Sequence, residues 1–271
     1  HLMDNRPVGI FDSGFGGLTS LKALREMMPD ENIIYFGDNG RAPYGGRGAE
    51  QLKAMARQDI AYVSGLGVKA MIVACGTLSS AAADVLGECS LPLSGVLNAS
   101  VNVLRQLGGS SPLGIIATEA SIRSGAFKAA LRAAFPEREI IDLACPEFVP
   151  LIESGHISAD DPLLTAAVER ALAPLKARQP GTLLLGCTHY GIVGDAISAY
   201  LGRDVRLVSA SECAASEMRD RLVSSGMTGG EGRTQYLTSG SAEDFSKVAS
   251  VILGMDDIRA ERIPQMEVEY I

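Results

Sequence analysis

Short apolar segments rich in Val, Ile and Leu alternate along the chain with longer segments in which apolar residues recur with helical spacing. The apolar segments predict buried strands at residues 7–11, 32–36, 70–74, 112–117, 138–143, 182–186 and 204–208. The periodic segments predict helices at residues 18–28, 49–67, 124–135 and 163–178. Alternating strands and helices are typical of an α/β fold with mainly parallel sheets, in which ligands bind beyond the carboxyl ends of the strands.

The hydrophobic pattern occurs twice. The segment GIFDSGFGG at residues 9–17 resembles GIIATEASI at residues 114–122, and VACGT at residues 73–77 resembles LGCTH at residues 185–189. A similar order of motifs at a similar spacing indicates a duplicated α/β unit. We therefore predict two similar α/β domains that face each other across a central active-site cleft.

The duplication also suggests where the domains begin and end. Residues 4–98 and 208–271 are predicted to form a discontinuous first domain, because the C-terminal tail is expected to pack back onto it. Residues 99–207 are predicted to form the second domain.

Composition and charge exclude several classes of partner. The 271 residues carry a formal charge of −8 and no cluster of Lys and Arg, which argues against nucleic acid or an anionic membrane as a partner. No apolar segment approaches the ~20 residues of a membrane span. The five cysteines have no CxxC spacing and no secretion signal precedes them, so we expect reduced thiols in a cytoplasmic protein.

Two of the cysteines follow predicted strands at duplicated positions. Cys75 and Cys187 should therefore lie on opposite walls of the cleft. One thiolate could remove a proton from a carbon while the opposite thiol returns a proton to the other face, which inverts the stereocentre. A single strand-end cysteine is more often a core residue, but two at equivalent positions favour catalysis. Cys89, Cys145 and Cys213 lack such surroundings and are predicted to be core residues.

Two glycine-rich loops could contribute to the same site. Asp12 begins the DSGFGG loop, where it could assist proton transfer at a thiol or hold an ammonium group; its structural alternative is the N-cap of a helix near Leu18. Pro43, Tyr44 and Gly45 could present backbone N–H groups and a hydroxyl to a carboxylate. The alternative for this second loop is a β-turn with a surface tyrosine.

His189 follows the second cysteine by two residues. It could stabilise the Cys187 thiolate by a hydrogen bond or by its positive charge. The pair could also be half of a metal site, but a zinc site needs further ligands and His156 is the other histidine considered. We therefore predict no metal, and because the thiols can supply both the acid and the base, we also predict no cofactor.

These motifs resemble the glutamate racemase family, the cofactor-independent enzymes of the aspartate/glutamate racemase superfamily. Nearly the whole chain carries the resemblance, in the segments FDSGFGGL, YFGDNGRAPYGGR, IVACGT, GIIATEASIRSGAF, CPEFVPLIESG, LLLGCTHY and YLTSGSAEDF. The resemblance implies racemisation of L-glutamate to D-glutamate by two thiols, which supplies D-glutamate for peptidoglycan and thus for cell-wall biogenesis and cell shape. The implied partner is this amino acid, with a homodimer as the candidate assembly.

The resemblance also implies roles for individual residues. Cys75 and Cys187 match the catalytic acid/bases, Asp12 matches the carboxylate that serves Cys75, and Glu153 and His189 match the partners of Cys187. From the residues themselves, Glu153 reads as an ordinary surface glutamate. The implied substrate-binding residues are Ser13, Pro43, Tyr44, Gly45, Gly76, Thr77, Thr118 and Thr188.

Three residues depart from the family pattern. Gly76 stands where the family usually has Asn, so we expect a lost contact with the substrate and added room. Gly191 replaces a usual Pro, and Ser209 replaces a common Asp. Because Gly76 could alter specificity, the alternatives are a racemase of aspartate or another amino acid, and a catalytically weak homologue that acts as a binding regulator.

Overall fold

The computed structural model describes residues 4–264 and contains two parallel β-sheets flanked by helices. Its strands are β1 (Val8–Asp12), β2 (Ile33–Gly37), β3 (Ala70–Val73), β4 (Leu93–Gly95), β5 (Leu113–Ala117), β6 (Ile140–Ala144), β7 (Thr182–Leu185), β8 (Arg206–Ser209), β9 (Thr234–Thr238) and β10 (Ala260–Arg262). The first sheet has the order β10-β9-β2-β1-β3-β4, and the second has the order β6-β5-β7-β8. The predicted α/β fold with parallel sheets is confirmed.

Helices connect the strands in both halves of the chain. The α-helices are α1 (Leu18–Met27), α2 (Ala49–Gly65), α3 (Gly76–Ala81), α4 (Ala83–Gly87), α5 (Val96–Leu107), α6 (Glu119–Ser124), α7 (Ala126–Ala134), α8 (Phe148–Glu153), α9 (Pro162–Ala177), α10 (Gly194–Leu201), α11 (Ala210–Ser224) and α12 (Ala242–Leu253). Short 3-10 helices span Asn39–Arg41 and Tyr190–Val193. No helix within residues 4–264 is long and apolar enough to cross a membrane.

All seven predicted strands are present, and the structure adds β4, β9 and β10 to the first sheet. Two of these three carry little apolar pattern: β4 is Leu-Ser-Gly, and β10 is Ala-Glu-Arg. The predicted helix at residues 124–135 was wrong at its start, because Gly125 has φ of +68° and separates α6 from α7. A left-handed residue breaks the helical hydrogen-bond pattern.

The chain passes between the two sheets twice. It leaves the first sheet through α5, which packs against α11 and α7, and it returns when β9 pairs with β2. Asn98, where the sequence places the first boundary, lies inside α5. The domain boundaries stay a prediction. The last residues of the predicted first domain, 265–271, lie outside the described part of the chain.

A glycine occupies the second position of the first strand in each half of the chain. A β-carbon on Gly9 would lie 2.6 Å from Val63 Cγ1, and one on Gly114 would lie 2.8 Å from Leu175 Cδ1. Val63 belongs to α2 and Leu175 to α9. In both halves, therefore, the missing side chain lets a helix pack directly on the central strand.

We predict that Gly9→Ala and Gly114→Ala lower the free energy of unfolding by ~1–3 kcal/mol, because the added methyl group overpacks the helix–sheet contact. Gly9→Ala should cost more, since Val63 is β-branched and adjusts less readily than Leu175. Urea unfolding measures both effects. Gly65→Ala is the matched control, because nothing lies within 4 Å of its added β-carbon. Equal stabilities for Gly9→Ala and the control would contradict the close packing.

Candidate active site

A cavity of about 560 Å³ lies where the carboxyl ends of β1 and β3 face those of β5 and β7. All residues predicted for the site line it: Asp12, Ser13, Pro43, Tyr44, Gly45, Cys75, Gly76, Thr77, Thr118, Glu153, Cys187, Thr188 and His189. A larger cavity of about 830 Å³ beside β8 contains none of them. The smaller cavity is therefore the candidate active site.

On the first wall, Cys75 follows β3 and occupies the N-cap position of α3. Its thiol donates to Ser13 Oγ at 3.5 Å, and the Ser13 hydroxyl donates to Asp12 Oδ1 at 3.5 Å. Burial raises the pKa of Cys75 to about 12, and the neighbouring Asp12 carboxylate adds to this effect. Burial also raises the pKa of Asp12. The first thiol therefore holds its proton firmly and has a carboxylate one hydroxyl away.

On the second wall, Cys187 follows β7 and lies beside an imidazole. His189 Nδ1 is 3.9 Å from Cys187 Sγ, and His189 Nε2 is 2.9 Å from Glu153 Oε1 at the end of α8. Burial opposes the charge of His189, but hydrogen bonds to Cys187 and Glu153 outweigh it and raise the pKa of His189 to about 10. At neutral pH a positive imidazolium therefore faces this thiol.

The glycines of the DSGFGG loop allow the two walls to touch. A β-carbon on Gly16 would lie less than 3.0 Å from both Thr188 and His189. The Thr19 hydroxyl also lies 3.0 Å from the Thr188 carbonyl oxygen, within hydrogen-bond reach. Gly17 is the N-cap of α1, and Asp12 Oδ2 accepts its N–H at 2.9 Å, so Asp12 is not itself the cap.

The Tyr44 hydroxyl contradicts the expected role as a carboxylate donor. It contacts Asp38 and Asp59, at 2.8 Å from Asp59 Oδ2, in a buried cluster that also contains Arg41. Arg41 donates to Asp38 Oδ2 at 2.5 Å and to Asp59 Oδ1 at 2.7 Å. The Tyr44 hydroxyl is therefore hydrogen-bonded within this cluster, while the Pro43–Gly45 segment itself still lines the cavity.

Proton counting in this cluster indicates that one of the two carboxyl groups is neutral. Two carboxyl groups face one guanidinium, and the single Tyr44 proton can satisfy only one of them. If Asp59 is protonated it donates to Tyr44, and Tyr44 donates to Asp38, so every group has a partner. Burial and the nearby Asp38 charge raise the pKa of Asp59 to about 8.

Hydroxyl groups connect the walls beside Gly76. Thr77 Oγ1 lies 3.3 Å from Thr118 Oγ1, which donates to Ser121 Oγ at 3.1 Å. Ser121 lines the cavity but was missed from the sequence; its place three residues after Thr118, at the start of α6, was the available signal. Cys145, predicted as a core residue, is buried and also lines the cavity. Cys89 is only half-buried, so its assignment to the core was wrong.

The departures from the family pattern have different surroundings. Gly76 does not add room, because an added β-carbon would lie less than 3.0 Å from the Gly186 carbonyl oxygen. Gly191 lies outside the site, where its added β-carbon would be 3.4 Å from Ser209 Oγ. Gly191 and Ser209 both line the larger cavity instead.

Within residues 4–264, no group of three or more His, Cys, Asp or Glu side chains is arranged to hold a metal ion. His156 is bonded to Asp161 at 2.8 Å and does not line the cavity. Of the residues in the described part of the chain, those that line the cavity include no Lys or Arg. Backbone N–H groups, hydroxyl groups and His189 are therefore the donors available to an anionic ligand.

Known proteins resemble the chain over both sheets. Residues 20–218 match the Asp/Glu/Hydantoin racemase family. Glutamate racemase 2 of Caldanaerobacter subterraneus is 36% identical over 254 residues, covering 93% of this chain and 95% of the relative. The crystal structure of Francisella tularensis glutamate racemase in complex with D-glutamate has a TM-score of 0.88 at 31% identity, covering 97% of this chain and 99% of that chain. The Thermus thermophilus glutamate racemase in complex with β-chloro-D-alanine has a TM-score of 0.86 at 36% identity, covering 97% and 98%.

We predict that Asp59→Asn removes a pH dependence of stability. With a folded pKa of about 8 and an unfolded value of ~3.9, only folded Asp59 binds the proton between these limits. Wild-type stability should therefore fall as pH rises through this window and level off above it. The stability of the Asn variant relative to wild type should increase from pH ~4 to ~8.

Urea unfolding at several pH values measures this difference. Asp84→Asn is the control, because Asp84 is an exposed carboxylate whose pKa is lowered by Lys53. Its offset from wild type should be constant between pH 5 and 9. A constant offset for Asp59→Asn as well would show that Asp59 is ionised throughout.

Proposed function

Since the chain belongs to the Asp/Glu/Hydantoin racemase family, we propose that it is an amino-acid racemase that interconverts L- and D-glutamate without a cofactor. One observation carries the proposal: two buried cysteines, at equivalent strand ends of two facing sheets, line a single cavity. A carbon held between them has an acid on one face and a base on the other.

In the proposed mechanism, one thiolate removes the α-proton and the opposite thiol donates a proton to the other face of the same carbon. When Cys75 is the base, its own proton first passes to the Asp12 carboxylate through the Ser13 hydroxyl, the order in which these groups are hydrogen-bonded. His189 stabilises the Cys187 thiolate by its charge, and Glu153 holds the imidazole in place. The reverse direction exchanges the two roles.

Binding of the substrate is assigned to neutral donors. The hydroxyl groups of Ser13, Thr77, Thr118 and Thr188 and the backbone of the Pro43–Gly45 segment surround the cavity. The negative side chains of Asp12 and Glu153 suit the ammonium group of an amino acid. Glutamate is favoured over aspartate because relatives that align over nearly the whole chain are glutamate racemases, one of them crystallised with D-glutamate.

The product has a cellular destination in this proposal. D-glutamate would be supplied for peptidoglycan synthesis, and thus for the cell wall and cell shape. The free cysteines among the described residues are consistent with the reducing cytoplasm, where the precursor would be made. The homodimer stays a prediction, which light scattering on the purified protein would test.

We predict that Cys75→Ala and Cys187→Ala each lower kcat for racemisation by at least ~1,000-fold, because each removes one proton donor and acceptor. The optical signal of L-glutamate, and separately of D-glutamate, is followed by circular dichroism in deuterium oxide. In wild type both signals should decay to zero while deuterium enters Cα. Cys89→Ala is the matched control, since its half-exposed thiol lies outside the cavity.

The same assay decides between the alternatives. If the circular dichroism signal decays with L-aspartate but with neither enantiomer of glutamate, the substrate is aspartate rather than glutamate. If the protein is folded but the signal of no amino acid changes, the binding-regulator alternative is favoured. Full turnover by Cys187→Ala would contradict the assignment of two bases.

We predict that Glu153→Gln moves the alkaline loss of activity to lower pH. His189 keeps its charge up to a pKa of about 10, and the hydrogen bond that its imidazolium donates to Glu153 contributes to this value. Without the carboxylate the imidazolium should lose its proton ~1 pH unit earlier, a modest shift because Glu153 is partly exposed. The measurement is kcat/KM against pH. Glu147→Gln, just before the same helix and paired with exposed Arg170, should leave the profile unchanged.

A further inference from the structure

The walls of the cavity meet backbone to backbone directly beside the two thiols. Gly76 follows Cys75, and Gly186 precedes Cys187. An added β-carbon on Gly76 would lie less than 3.0 Å from the Gly186 carbonyl oxygen, closer than real β-carbons approach another atom. Each residue in this contact is therefore covalently joined to one of the proposed acid/bases.

Neither side of the contact can move aside easily. The Gly186 N–H donates to the Ile116 carbonyl oxygen at 2.8 Å, which ties Gly186 to the second sheet. The Gly76 carbonyl oxygen accepts from the Ser80 hydroxyl at 2.7 Å, within α3. The atom that an added side chain would strike belongs to the backbone, so no change of side-chain rotamer relieves it.

We propose that Gly76 is a positioning residue that sets the separation of the Cys75 and Cys187 thiols, by letting the two walls close to backbone contact. The proposal rests on the two-thiol racemisation proposed above. It also assigns a reason for glycine at this position. The opposite wall fills the space, so a side chain on residue 76 would push the two walls apart. To reach ordinary contact at 3.4 Å, the Gly186 carbonyl would have to retreat by about 1 Å.

Such a displacement acts on the chemical step more than on binding. Both proton transfers need a thiol sulfur close to the α-carbon, and one substrate cannot approach both sulfurs when the walls separate. A misplacement of 1 Å can cost ~100-fold in rate. Ground-state contacts with hydroxyl and backbone donors are longer and more adaptable, so KM should change less than kcat.

The first variant is Gly76→Ala, with Gly65→Ala as the matched control at an open site remote from the cavity. We expect kcat for glutamate to fall ~100-fold and KM to change less than ~5-fold in Gly76→Ala, with both unchanged in the control. In deuterium oxide, Gly76→Ala should also place more deuterium in the recovered starting enantiomer. The opposite thiol then reprotonates the carbon too slowly, and the first thiol returns a solvent-exchanged deuteron to the original face.

The second variant, Gly76→Asn, separates spacing from a missing polar contact. If the site lacks a hydrogen bond that Asn would supply, this variant should raise kcat/KM. If an added side chain separates the walls, as proposed, Gly76→Asn should instead lose at least as much kcat/KM as Gly76→Ala. A gain in activity for Gly76→Asn, or wild-type kcat in Gly76→Ala, would overturn the proposal.

Crystal structures give a readout that does not depend on turnover. The distance between Cys75 Sγ and Cys187 Sγ should be about 1 Å longer in Gly76→Ala than in wild type. If the variant does not fold, the wild-type structure with D-glutamate decides instead, because a visible gap between Gly76 and Gly186 in that complex would overturn the proposal. Wild-type protein inactive on every amino acid would refute the proposed function, while the sulfur–sulfur comparison would still test the spacing.

Discussion

The constraint on which the site depends is that the carboxyl ends of two separate parallel sheets must meet with almost nothing between them. Each sheet ends in a cysteine on its own wall, and neither wall encloses the cavity by itself. Contact is made at glycines, with Gly16 against Thr188 and His189, and Gly76 against Gly186. The contact of Gly76 with Gly186 is between backbones, so the spacing of the walls beside the thiols is set by the two sheets rather than by flexible side chains.

Closing the walls in this way buries charge, and burial then controls the protonation of the site. Among the described residues, those that line the cavity include no Lys or Arg, so the imidazolium of His189 is their positive group. The two thiols consequently lie in different electrostatic surroundings. Cys75 is next to a carboxylate and has a pKa raised to about 12, whereas Cys187 faces a histidine whose pKa is raised to about 10. A duplicated backbone thus carries unlike partners at its two strand ends.

Much of the fold and site could be predicted from local patterns. The seven strands, and the pairing of Cys75 with Cys187, depended on hydrophobic runs and on a repeat, both of which are written in consecutive residues. Glu153 came only from the family resemblance, since its contact with His189 spans 36 residues of chain. Two errors at the site were also long-range. The Tyr44 hydroxyl binds a carboxylate on α2, and the space beside Gly76 is filled from the opposite sheet.

The unlike surroundings of the two thiols are compatible with a reaction that has no preferred direction. L- and D-glutamate have equal free energies in water, so kcat/KM must be the same for both enantiomers whatever the protein does. The unlike surroundings of Cys75 and Cys187 can therefore give the two enantiomers different kcat values only if their KM values differ by the same factor. The direction of the reaction in which Cys75 is the base requires that this thiol first loses its own proton by a proton shift. In the proposed mechanism, Ser13 and Asp12 provide the route for that shift.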